Sequence, residues 1–219
     1  MSSPRIIFKL STRSRPDMAM RTINNILSNV EDPNFKILVT LDLDDEKMRG
    51  FKFEHERVIL FWGYSKNKIH AFNRTISFVK EWDILVSMSD DMVFYKQGFD
   101  NDIREAFDGN FDQFIHYNDG FQGANVCTMS ILGRKYYERD MYVYHPSYES
   151  LWSDVESTQV AKLRGCYKYM GDDKIIFKHH HPAWQLAEED DQYKKQNSPE
   201  QNSKDYCNYI DRKNINFGL

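Results

Sequence analysis

A chain of 219 residues with 41% hydrophobic content can bury one sizeable core, so one domain is expected rather than two. A formal net charge of −4 with a pI near 6.0 leaves no basic excess, which excludes a protein whose main work is gripping duplex nucleic acid. Three widely spaced cysteines, Cys127, Cys166 and Cys207, fit neither a disulfide framework nor a zinc motif, and no apolar run approaches the roughly 18 residues of a membrane span. The expectation is a soluble, cytoplasmic protein with reduced thiols and no membrane span. An aromatic share of 15% leans towards a cleft for flat ligands, although most of those rings belong to the core.

Arg5 to Leu10 reads as a strand, and Pro16 suits the first turn of a helix carrying Met20, Ile23, Leu27 and Val30. Phe35 to Leu41 is a second strand closing on Asp42, Asp44 and Asp45, which completes a β-α-β unit. Val58 to Trp62 is a third strand, and Ile69, Phe72, Ile76 and Val79 form the apolar stripe of a helix beginning near Ser65. The fourth strand, Trp82 to Met88, runs into Ser89-Asp90-Asp91. Alternating β and α over the first 95 residues predicts a doubly wound, mainly parallel sheet with helices on both faces. Beyond it, Phe99 to Phe107 reads as a helix, Gln113 to Tyr117 and Asn125 to Leu132 as strands, and Trp152 to Arg164 as a helix. Ile175 to Lys178 is a strand leading into His179-His180-His181-Pro182-Ala183-Trp184, and the polar last thirty residues are expected to wrap the surface.

Strand ends of a parallel sheet converge on one crevice, so the polar groups that end these strands should be neighbours. A buried strand stopping at Asp90-Asp91 delivers hard oxygen ligands suited to a divalent ion and a phosphate. Arg13, Arg15 and Lys68 suit a diphosphate, with Thr12 and Asn73 beside them, and Asp42 can accept bonds from a base or ribose. Alone, Asp154 would read as a first-turn helix acid, and a single histidine as structural. In an extended segment, however, His179 and His181 share a face.

In their order these residues resemble the GT-A fold glycosyltransferases, especially inverting enzymes of the family 2 type, over roughly residues 4 to 165. The matching segments are Leu10-Ser11-Thr12-Arg13-Ser14-Arg15-Pro16 after the first strand, Asp42 after the second, Lys68 and Asn73 on a helix, and Ser89-Asp90-Asp91 in the place of an Asp-x-Asp motif. The resemblance implies a nucleotide-binding half over about 4–95, an acceptor half over about 96–185 and a wrapping segment over 186–219. It implies a UDP-sugar donor, a glycan or glycoconjugate acceptor, and Mn²⁺ or Mg²⁺ as cofactor. Ser89 departs from the motif, which shifts the metal contact to Asp91 and turns Asp90 towards sugar or ribose. Trp152-Ser153-Asp154-Val155-Glu156 is similar to the family's acidic motif, with Asp154 as the base that activates the acceptor hydroxyl. His179 or His181 would complete the metal site. In size the chain is also similar to short glycosyltransferase domains of large DNA viruses.

Two other readings compete. Val39 to Asp44 and Gly171-Asp172-Asp173 resemble the acidic motifs of haloacid-dehalogenase phosphatases, with Asp42 or Asp44 as nucleophile. That motif should follow the first strand, and Thr or Val is expected where Glu46 stands. The other is a nucleotide- or glycan-binding module without turnover, with Ser89 as its mark. A nucleotidylyltransferase would need a glycine-rich loop, and residues 11–15 contain no glycine.

Overall fold

Strand β1 (Ile6–Ser11) alternates its apolar side chains across a sheet, and that alternation organises the rest of the molecule. The computed structural model describes residues 2–182 and 188–219. Ala183 and Trp184 of the histidine-rich run, and the expected 185/186 boundary, lie outside the described residues.

β1 pairs in parallel with β2 (Phe35–Asp42) on one side and β4 (Ile84–Met88) on the other, and β3 (Val58–Gly63) adds to β2 as the edge. Beyond β4 the direction reverses: β7 (Ile131–Gly133) is antiparallel to β4, then come β6 (Phe114–His116) and β8 (Tyr167–Tyr169), giving the order β3-β2-β1-β4-β7-β6-β8. A separate antiparallel pair joins β5 (Met92–Phe94) to β9 (Phe177–His179).

Ile6, Phe8 and Leu10 face a core closed by Ala19, Ile23 and Ile26 of α1 (Pro16–Asn29) and by Phe99, Ile103 and Phe107 of α3 (Phe99–Phe107). Ile7 faces the opposite layer, with Ile69 and Phe72 of α2 (Lys68–Asn73), Tyr136 and Tyr137 of α4 (Arg134–Tyr137), Ala161 of α5 (Ser153–Leu163) and Tyr209 of α7 (Pro199–Asn214). The expected doubly wound architecture is present: a mainly parallel sheet between two helical layers. Lys9 is an exception to the apolar rule. It is fully buried, donates to Thr40 Oγ1 at 2.6 Å, and its ammonium is held well below its ordinary pKa by desolvation and then by Arg74.

Some boundaries differ from the pattern. The second helix begins at Lys68, capped by Asn67 Oδ1 on the His70 N–H at 2.8 Å, and stops at Asn73 rather than carrying its stripe to Val79. The Asn125 to Leu132 strand shortens to β7, because the segment before it is a loop built on Asp119, whose carboxylate accepts the N–H groups of Phe121 and Gln122. The C-terminal segment is more than a surface wrap: α6 (Asp191–Gln196) reaches the cleft described below, and α7 buries Asp205 and Tyr209.

Candidate active site

The carboxyl ends of β1, β2 and β4 open onto a cleft of about 430 Å³, closed on its other sides by α2, the start of α5, the end of β9 and α6. On the β2 side, Asp42 is buried and its carboxylate is shared between Arg13 Nη1 at 2.9 Å and the Ser65 hydroxyl at 2.5 Å. Arg74 approaches the same carboxylate at 3.5 Å and donates to the Leu41 carbonyl at 2.9 Å. A Cβ on Gly63 would stand 2.5 Å from the Arg74 guanidinium, so the glycine leaves that arginine its path. Arg13 also grips exposed Asp44 in a fork, at 2.9 and 3.0 Å.

The loop after β1 is bent by Ser14 at φ +62°, whose N–H donates to buried Asp45 at 2.5 Å. This bend sends Arg13 towards β2 and Arg15 towards β4. Thr12 donates to Asp90 Oδ2 at 2.6 Å and Arg15 Nη1 to Asp90 Oδ1 at 3.0 Å. The remaining donors of Arg15 fork onto Asp190 at 2.6 and 2.7 Å, and Asp190 caps α6 by accepting the Tyr193 N–H at 2.7 Å.

Asp90 and Asp91 are adjacent and buried, yet their surroundings drive them apart. Desolvation raises the Asp90 carboxyl, against Arg15 and with the neighbouring charge of Asp91. For Asp91 burial also opposes ionisation, but His179, Lys68 and His181 outweigh it and hold the carboxyl well below the usual range. The pairing of Met92 with His179 brings that ring to the strand end, its Nε2 lying 3.1 Å from Asp91 Oδ1. The contact has ion-pair distance without hydrogen-bond alignment: Asp91 Oδ1 is buried and has no hydrogen-bond partner. His180 points the other way, onto the Tyr95 hydroxyl. His181 lines the cleft, its ring edge-on to His179 at 5.0 Å and to Tyr193 at 5.2 Å, and burial with the nearby His179 pushes it down to about 4.

These groups fit a divalent cation. A carboxylate oxygen and an imidazole nitrogen are suitable donors, and 3.1 Å is a separation that two ligands of one small cation adopt when its bonds are about 2.0–2.1 Å. Among the described residues no group of three or more His, Cys, Asp or Glu side chains is arranged to hold a metal.

Asp154, half-buried in the first turn of α5, lines the cleft, with its Oδ1 accepting the Val155 N–H at 2.9 Å. Desolvation raises its carboxyl, with the Val155 N–H, Lys68 and His179 partly offsetting it. Lys68 lines the cleft at the start of α2.

The structure thus brings Thr12, Arg13, Arg15, Asp42, Lys68, Asp90, Asp91, Asp154, His179 and His181 together, and leaves Asn73 out. Its amide donates to the Tyr144 carbonyl at 2.6 Å and accepts the Val143 N–H at 3.1 Å, so it fastens the 143–144 loop to α2. Sequence reasoning missed Ser65 and Arg74 beside Asp42, and the α6 wall of Gln192, Tyr193 and Lys195. Asp190 three residues before Tyr193 is a helix-start signal, but nothing local tells that this helix faces Arg15. Gly171-Asp172-Asp173 follows β8, five strand spacings or about 24 Å across the sheet from the end of β2.

No family sequence model and no curated protein sequence matches this chain. Among solved structures the fold is similar to the mannosyltransferase PcManGT from Pyrobaculum calidifontis in complex with GDP-Man and Mn²⁺, with a TM-score of 0.61, 13% identity, and coverage of 78% of this chain and 55% of that one. It is also similar to S. aureus TarS 1–349 in complex with UDP, with a TM-score of 0.59, 13% identity, and coverage of 80% of this chain and 60% of that one. The match spans little more than half of each of those structures. At such identities the likeness establishes the fold, and that fold is GT-A.

Proposed function

We propose that this protein is a metal-dependent glycosyltransferase that moves a sugar from a UDP-sugar to a hydroxyl of a glycan or glycoconjugate, with inversion at the anomeric carbon. The observation that carries the reading is the buried Asp91 oxygen, without a hydrogen-bond partner and facing His179, in a strand-end cleft that Arg13, Arg15, Lys68 and Asp154 also line. The two neighbouring structures hold GDP-Man with Mn²⁺ and UDP, ligands of the class this cleft suits.

In this reading Asp91 and His179, with His181 behind, hold Mn²⁺ or Mg²⁺, which supplies Lewis-acid neutralisation of the leaving diphosphate. Arg13, Arg15 and Lys68 bind phosphate oxygens, and Asp42 and Asp90 receive donors from the base and the ribose or sugar. Asp154 accepts the proton of the attacking hydroxyl; desolvation raises its carboxyl, which makes it a better proton acceptor than an ordinary surface aspartate. The phosphatase reading is disfavoured because its second acidic motif stands across the sheet from Asp42 and Asp44, both of which Arg13 neutralises.

Thermal shift with nucleoside diphosphates, in Mn²⁺ and in excess EDTA, tests the reading without an acceptor. UDP should stabilise the protein in Mn²⁺ and much less in EDTA. Asp91→Asn should weaken the Mn²⁺-dependent part by about 10²-fold, since losing even an outer-shell partner costs roughly 10–100-fold. Equal stabilisation with and without metal overturns the metal role. No response to any nucleotide, and no nucleoside diphosphate released from any sugar nucleotide, overturns the enzyme.

A further inference from the structure

The loop that delivers Asp154 is held by α7. Buried Asp205, in the middle of α7, accepts the successive backbone N–H groups of Glu149, Ser150 and Leu151 at 3.0, 2.9 and 2.8 Å, and the Gln201 side chain at 2.9 Å. The next residue, Trp152, has φ +63°, a region that a bulky side chain rarely occupies and that persists only where its surroundings over-determine it. Here the surroundings are α7 again. The indole N–H donates to Asn202 at 2.8 Å, and the ring lies 4.8 Å from that of Tyr206 and 5.3 Å from that of Tyr209. Two residues later comes Asp154.

A helix that needs only a start does not need a left-handed tryptophan before it. The bend sets the direction in which the chain enters α5, and so where the Asp154 carboxylate stands. We infer that Asp205 is a positioning residue for the transfer reaction, fixing through the Glu149–Trp152 loop the carboxylate that takes the acceptor's proton. α7 thereby belongs to the reaction apparatus although Asp205 itself does not line the cleft. The inference rests on the reading of Asp154 as the base.

A carboxylate can accept from all of these donors at once, whereas an amide turns N–H against N–H at one of them. Asp205→Asn should therefore slacken the loop while leaving the nucleotide side of the cleft in place. The assay is nucleoside diphosphate released from a panel of UDP- and GDP-sugars in Mn²⁺ with water as acceptor, beside the affinity for UDP and GDP alone. Turnover should fall by about 10²-fold, the effect of misplacing a reacting group by about 1 Å, with nucleoside diphosphate affinity unchanged. Asn202→Ala, which frees the indole without removing a buried charge, should lower turnover in the same sense with an unchanged melting temperature. It keeps the test decisive if Asp205→Asn folds poorly. Wild-type turnover in a folded Asp205→Asn, or in Asn202→Ala when Asp205→Asn does not fold, overturns the inference and leaves the proposed enzyme standing. A parallel loss of nucleotide affinity and turnover reduces Asp205 to a structural residue and also overturns it. A wild type that releases no nucleotide from any sugar nucleotide overturns the function and the inference with it.

Discussion

Asp91 and Asp154 line one cleft yet are driven in opposite directions, the first held ionised by His179 and Lys68, the second raised by desolvation. The consequence for Asp154 concerns stability as well as turnover. A carboxyl whose folded pKa is raised burdens the fold whenever it is ionised, so the cost is present above the unfolded carboxylate pKa and vanishes as pH falls below it. Asp154→Asn removes that charge while preserving shape. At neutral pH the variant should melt at or above the wild-type temperature, bind UDP and Mn²⁺ normally, and lose roughly 10²–10⁴-fold in transfer, the span associated with a general base. Calorimetry beside a turnover assay checks it; a destabilised variant with normal transfer removes Asp154 from the mechanism. In the wild type, activity should fall on acidification at a higher pH than an unperturbed aspartate would impose.

Among the elements, α6 shows how little local sequence says about placement. Its residues are polar and none is buried, so it reads as a surface helix, yet it forms a wall of the cleft through the fork of Arg15 on Asp190, 175 residues away in sequence. Asp190→Ala removes both that fork and the helix cap. Losing the cap alone is worth about 1 kcal/mol locally. The melting temperature should hardly change, because α6 buries nothing, while hydrogen exchange at Tyr193 to Gln196 should accelerate markedly. Unchanged exchange there would mean that α6 is held by other contacts. The β1, β2 and β4 ends were legible because parallel strands flanked by helices carry long apolar runs and end on polar groups at one edge. β6, β7 and β8 were harder, since elements of three residues show no periodicity, and Asn73 was misread because its amide serves a loop some seventy positions away.

At the scale of the whole molecule, the part of the sheet beyond β4 carries a buried histidine on the face of Phe114. His116 on β6 is 1% exposed, its Nδ1 lies 2.7 Å from the Tyr167 hydroxyl, and burial depresses it to about 4. In the unfolded chain it titrates near 6.5, so the folded state binds fewer protons between the two values, and stability is lost as pH falls through that window. The full displacement corresponds to about 3 kcal/mol at most. Denaturant unfolding of wild type and His116→Gln at pH 7 and pH 4.5 should show a smaller acid loss in the variant; identical losses would assign acid sensitivity elsewhere.

The two-stranded β5–β9 sheet has a further consequence, in the order of events during folding. Its partners stand more than eighty residues apart, and β9 is made long after β1, β2, β3 and β4, all of which lie within the first 88 residues. During synthesis the edge of the cleft built by β1, β2 and β4 can therefore form before the corner where β9 brings His179 to Asp91. On a chain made from its N-terminus, Asp91 therefore exists before the His179 that will face it.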